Sequence, residues 1–96
     1  MLMARDIEAV IAIVRQAHPT VQVSQLRVLH PGADDDGIWF FTVPGGGYEI
    51  QIESFSGNAP FLAEDHFGER YDNLSLQDAA AVAVRWLSTG EIKLSE

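Results

Sequence analysis

The stretch Ile38-Trp39-Phe40-Phe41-Thr42-Val43 is built from β-branched and aromatic residues, the types that suit the pleated, half-buried surface of a strand. Successive side chains of a strand point to opposite faces, and here large apolar groups occur at both parities. A chain with such a strand must bury one face in a core and find cover for the other. The segment Tyr48 to Phe55 behaves differently. Tyr48, Ile50 and Ile52 alternate with Glu49, Gln51 and Glu53, so one of its faces is dry and the other wet. Pro44-Gly45-Gly46-Gly47 joins the two segments as a hairpin tip. If Val43 pairs with Tyr48, Phe41 faces Ile50 and Trp39 faces Ile52, while Ile38 and Phe40 fall on the opposite face beside Glu53 and Gln51. Sliding the register by one residue exchanges the two sets and turns Trp39 and Phe41 outward. In either register two large apolar side chains lie on the face away from the core, and Leu29 is placed to join them.

The flanking sequence supplies one core layer. Ala4 to His18 carries Ile7, Val10, Ile11 and Val14 at helical spacing, with Ile13 at the edge of the stripe, and Pro19 ends the helix. Val21 and Val23, then Leu26 and Val28, mark a first strand whose phase slips at Ser24-Gln25, which suggests a bulge or two short pieces. His30 to Gly37 is dense in turn formers. Phe61 to Glu64 reads as a short fourth strand, and Asp65 to Leu74 as a polar connection. Ser75-Leu76-Gln77-Asp78 has the capping pattern that opens a helix, alanine-rich along its length, with Gly90 as its stop. Residues 91 to 96 would form an edge strand or fray. With 96 residues there is room for one domain, residues 1–96. The expected fold is α+β: a two-layer sandwich in which an antiparallel meander of three or four strands lies between an N-terminal and a C-terminal helix in sequence, both helices on one sheet face.

Charge narrows the function classes. Between Pro31 and Asp72 stand nine acids (Asp34, Asp35, Asp36, Glu49, Glu53, Glu64, Asp65, Glu69, Asp72) and one base, Arg70, which together account for the whole net charge of −8. Such a field repels phosphate backbones and anionic lipid, so nucleic acid and membrane surfaces are poor partners, while a basic protein is a favoured one. The plain alternative is that the acidity serves solubility. No apolar run is long enough to span a membrane, and Met-Leu-Met-Ala-Arg-Asp becomes charged too early for a secretory leader, so a cytoplasmic protein is expected.

Candidate chemistry is sparse. There is no cysteine, hence no disulfide, thiolate nucleophile or thiolate metal site. His18, His30 and His66 show no i, i+4 pairing, and Glu64-Asp65-His66-Phe67-Gly68-Glu69 reads as a solvated loop rather than a cation site. Asp34-Asp35-Asp36-Gly37 has consecutive acids instead of the alternating ligands of a calcium loop. The triple glycine is followed by neither a helix nor a lysine, so it is no phosphate cradle. Glu49 and Glu53 share a strand face about 13 Å apart by strand rise, beyond the spans that glycosidic chemistry uses. No metal, no cofactor and no enzymatic activity are expected.

The second half, from Gly46-Gly47-Tyr48-Glu49-Ile50-Gln51-Ile52-Glu53 through Pro60-Phe61-Leu62-Ala63-Glu64 to Ala83-Val84-Arg85-Trp86-Leu87-Ser88-Thr89-Gly90, resembles small bacterial α+β proteins. Among these are immunity proteins of polymorphic toxin systems, in which an alanine-rich helix closes in an aromatic-Leu-x-Thr-Gly step. The resemblance implies a cytoplasmic, non-catalytic inhibitor that docks on a cognate toxin. Two function classes follow. One is a protein-binding module for a basic partner, with Glu49, Glu53 and Asp34, Asp35 and Asp36 steering the encounter and Trp39, Phe40 or Phe41 as the desolvated anchor. The other is a small homodimer that closes the open sheet face on itself. A third arrangement leaves that face covered by the 30s loop or the tail.

Overall fold

In the computed structural model, which describes residues 5–26, 37–45, 49–54 and 56–94, the chain runs α1 (Asp6–Ala17), β1 (Gln22–Gln25), β2 (Ile38–Thr42), β3 (Glu49–Glu53), β4 (Phe61–Glu64), β5 (Arg70–Leu74) and α2 (Leu76–Leu94). The strands form one open sheet in chain order, every neighbouring pair antiparallel. The α+β meander expected from the sequence is the observed fold. Val28, Leu29, His30, the Asp34–Asp36 loop, Tyr48, Phe55 and residues 95–96 lie outside the described residues.

The β2–β3 register decides which side chains meet the core. Trp39 pairs with Ile52 and Phe41 with Ile50, the first of the two registers open to the sequence. Val23 lies opposite Phe41, and Ala63 opposite Ile52, so one parity of the central strands is apolar throughout. Trp39, Phe41, Ile50, Ile52, Phe61 and Ala63 are buried in a single cluster with Ile7, Val10 and Val14 of α1 and Ala79, Ala80, Ala83 and Leu87 of α2. The three alanines bring the α2 backbone close to its neighbours, and Phe41 and Phe61 supply the bulk that fills the space.

The start of α1 is capped from a distance. A helix leaves its first backbone N–H groups without internal partners. Here Asp6 N–H donates to Asn58 Oδ1 (2.9 Å) and Ile7 N–H to the Gly57 carbonyl (2.8 Å), while Arg5 N–H donates to Glu8 Oε2 (2.7 Å). The Asp6 carboxylate answers by accepting from Ala59 N–H (3.0 Å). The β3–β4 turn thus does the work of an N-cap residue some fifty positions away in sequence. Ser54 braces that turn: its hydroxyl donates to the Asn58 carbonyl, and its N–H donates to the Gly37 carbonyl at the head of β2 (2.8 Å). Gly57 has φ +80°, and a Cβ there would stand 2.9 Å from Arg5 Cδ. The Arg5 guanidinium in turn lies 5.8 Å from the centre of the buried Trp39 ring, a cation–π distance.

The other end of α1 is tied to α2. Before Pro19 the chain leaves the helix at His18, which is buried, with Nε2 3.0 Å from Ser88 Oγ and 3.3 Å from the Val84 carbonyl. The Ser88 hydroxyl already donates to Val84 O (2.8 Å), so the hydrogen-bonding pattern calls for the tautomer with the proton on Nε2.

Three sequence expectations need correction. First, β1 shows no phase slip over Gln22–Gln25, and Leu26 N–H continues the ladder to the Ile38 carbonyl (2.9 Å), which puts Leu26 in phase with Ser24 rather than with Val23. Second, Arg70–Leu74 is a strand, not a loop. It is an edge strand exposed over most of its length, so it lacks the alternation that burial imposes, and its pairing with β4 is set by the backbone ladder. Two of its residues, Asp72 and Asn73, oppose Leu62 alone, a bulge in which Asn73 takes φ 56°. Third, α2 continues through Gly90 to Leu94. A glycine inside a helix costs about 1 kcal/mol relative to alanine but removes no hydrogen bond, and ordinary helix formers follow it. Its N-terminus is as expected, with Asp78 N–H donating to Ser75 Oγ (3.1 Å).

Two sets of variants test this architecture. Asn58→Ala should destabilise the fold by about 1 kcal/mol through the lost cap, and Gly57→Ala by about 1–2 kcal/mol through the left-handed backbone. Both are read as a lowered urea midpoint at unchanged slope. Phe41→Ala should cost about 3–5 kcal/mol, and Phe40→Ala well under half of that. Equal costs at the two positions would contradict the register.

Candidate functional site

The parity of the sheet opposite Trp39 carries a second set of side chains, here the Phe40 face. Pairing aligns them in rows across the strands. Leu26, Ile38, Glu53 and Leu62 make one row; Ser24, Phe40, Gln51, Glu64 and Arg70 the next; Gln22, Thr42 and Glu49 a third. Ile38, Phe40 and Leu62 are half-buried and belong neither to the core cluster nor to the apolar residues packed against it. Leu26 is 37% exposed, one of the few large apolar side chains so open to water among the described residues. The face therefore combines an apolar strip with carboxylates at Glu49, Glu53 and Glu64.

One of those carboxylates is held in place. Gln51 Nε2 donates to Glu53 Oε2 at 2.7 Å, fixing the head group in the row between Ile38 and Leu62. Glu64 stands directly across from Arg70. Glu49 is exposed at the edge of a shallow depression of about 240 Å³ that Gln22, Ser24, Phe40 and Thr42 also line.

The residues singled out in the sequence separate cleanly. Trp39 and Phe41 are 4% and 0% exposed, so they serve the core and are withdrawn as surface contacts. Phe40, Glu49 and Glu53 share the opposite face, and Asp34, Asp35 and Asp36 lie outside the described residues. Gln51 lies on this face beside Phe40, as the first register requires, and Leu26, Leu62 and Glu64 join it as residues the sequence does not single out. Phe-Leu-Ala-Glu carries no apolar–polar alternation of its own, and the faces of Leu62 and Glu64 follow only once Gln51 is paired with Glu64.

Elsewhere the β4–β5 hairpin displays Phe67, 65% exposed, on a tip braced by Asp65. Asp65 Oδ1 accepts from Phe67 N–H (2.9 Å) and Glu69 N–H (2.8 Å), and Gly68 turns the chain at φ +85°. Beside it, on the parity of Ala63, Tyr71 stacks on Trp86 with ring centres 5.7 Å apart. No three His, Asp or Glu side chains among the described residues gather into a possible metal site. Among those residues no buried side-chain nitrogen or oxygen lacks a hydrogen-bond partner, and no helix is long and apolar enough to cross a membrane.

The Tyr71 phenol is held above its ordinary value of 10.0, first by the hydrogen bond it donates to Glu69 Oε1 (2.7 Å) and then by that carboxylate's charge, against an opposing pull from Arg85. A phenol raised in the folded state keeps this contact below its unfolded pKa and loses it as pH climbs through the folded one. Glu69→Gln should therefore lower the alkaline titration of Tyr71, followed by tyrosinate absorbance and assigned with Tyr71→Phe. Comparison of the chain with protein-family models, with characterised proteins and with solved structures returns no match.

Proposed function

We propose that this chain is a non-catalytic protein-binding module whose Phe40 face receives a basic partner, with both helices covering the Trp39 face behind it. The observation that carries the reading is the apolar set Leu26, Ile38, Phe40 and Leu62, which takes no part in the core and is framed by Glu49, Glu53 and Glu64. Each large apolar side chain left in water forgoes about 1.5–3 kcal/mol of burial, so a contiguous group of them supports an interface. The carboxylates then favour positive charge in the partner and speed the encounter. An inhibitor of the immunity type, implied by the resemblance of the second half, is one protein that would use such a face.

Face-to-face dimerisation is the less favoured reading on the same grounds. Two copies meeting through this surface would bring Glu49, Glu53 and Glu64 against their own counterparts, with Arg70 the one base among the described residues of those rows to offset them.

Sedimentation equilibrium and paired capture experiments test the choice. The wild-type chain should sediment as a monomer. Immobilised, it should retain basic proteins that are released by about 0.5 M salt and that Phe40→Asp and the triple variant Glu49→Gln/Glu53→Gln/Glu64→Gln fail to retain. A dimer that Phe40→Asp dissociates would assign the face to a second copy, and equal retention by all three chains would remove the face from binding altogether.

A further inference from the structure

We infer that the Phe40 face recognises an amphipathic helix in the basic partner, one that presents an arginine or lysine between two apolar side chains, with Glu53 as the carboxylate that selects it; this rests on the partner-binding reading above. Of the carboxylates on the face, Glu53 alone lies in a row with apolar residues on both sides, Ile38 on β2 and Leu62 on β4. It is half-buried and its head group is already oriented by Gln51 Nε2 at 2.7 Å. A partner that covered Ile38 and Leu62 with apolar groups alone would strip water from Glu53 and leave its charge unpaired, which is strongly unfavourable. Any occupant that seals this row is therefore required to bring a cation to its middle. A carboxylate pre-set by a neighbouring amide loses little freedom when it pairs, and a guanidinium can engage it through two hydrogen bonds.

Spacing selects the form of the occupant. Ile38 and Leu62 are separated by two strand spacings, about 10 Å. In an α-helix, residues i and i+7 are about 10.5 Å apart on one face with i+3 and i+4 between them. Along a strand, same-face residues fall about 7 or 13 Å apart, and neither matches. An apolar–basic–apolar pattern at i, i+4 and i+7, lying across the strands, sets its ends on Ile38 and Leu62 and its cation on Glu53. Phe40 and Leu26 extend the apolar bed beneath it.

The test uses two synthetic helical peptides of about fifteen residues, alanine-rich for helicity, each with leucine at i and i+7. One carries arginine at i+4 and the other glutamate. Added to the isotope-labelled full chain, the arginine peptide should shift the amide resonances of Ile38, Phe40, Glu53 and Leu62, and the glutamate peptide should bind at least about tenfold more weakly. Glu53→Gln should lower affinity for the arginine peptide about tenfold and narrow the gap between the two peptides, while Glu49→Gln changes it less than about twofold. Thermal melts of each variant confirm that it is folded. Equal binding of the two peptides, or shifts confined to other parts of the chain, would overturn the inference. If Phe40→Asp abolishes binding and Glu53→Gln leaves it intact, the face binds helices but does not select through Glu53, and the inference fails while the partner-binding reading survives. If Phe40→Asp also leaves binding intact, both fail.

Discussion

Pairing of Trp39 with Ile52 and of Phe41 with Ile50 is the contact on which the rest of this structure hangs. Because side chains alternate along a strand, a slip of one residue in this hairpin would send Ile38 and Phe40 inward and expel Trp39 and Phe41. The observed register puts the larger aromatic pair and both isoleucines of β3 into one buried layer, where Ile50 and Ile52 have no apolar alternates on the other parity of their own strand. That asymmetry fixes which face of β3 is dry, since Glu49, Gln51 and Glu53 cannot be buried without large desolvation cost. The pairing then sets Trp39 and Phe41, rather than Ile38 and Phe40, on that dry face.

The consequences run outward from there. Trp39 in the core provides the ring over which Arg5 lies, and Arg5 packs against Gly57 at the turn after β3. That turn caps α1 through Asn58 and Gly57 and is itself anchored to the head of β2 by Ser54. The first helix is thus positioned by hydrogen bonds to the sheet's own turn at one end and by His18 against α2 at the other. Few of these contacts depend on the residues of the Phe40 face. Variants there can probe binding while the core layer stays intact, a separation that follows from the two-residue period of the strands.

Much of the fold was legible in the residues themselves. The apolar spacing of Ile7, Val10 and Val14, the strict alternation of Tyr48 to Glu53, and the serine cap at Ser75 each point to the element observed. Legibility failed where local signals were not what held the chain. Arg70–Leu74 forms a strand because β4 offers it a backbone ladder, and an exposed edge strand needs no hydrophobic pattern. Gly90 sits inside a helix because one unfavourable residue does not outweigh the turns on either side. For the site, the alternation of β3 places Glu49, Gln51 and Glu53 on a wet face, but nothing in the sequence tells Phe40 from Trp39 and Phe41, and Leu62 and Glu64 read as ordinary strand residues.

By itself the sequence determined the type and order of every element but β5, an excess of apolar side chains on β2 beyond what one core could take, and a concentration of acids in the middle of the chain. These are properties of composition and period, carried by each segment alone. Only the tertiary structure decided which aromatics are buried, that Glu53 lies between Ile38 and Leu62, and that α1 is capped by a turn half a chain away. The reason is that register and capping in trans are relations between segments. A strand's pattern says that it has two faces, but which of them turns inward is set only by the residue-to-residue pairing with the neighbouring strand.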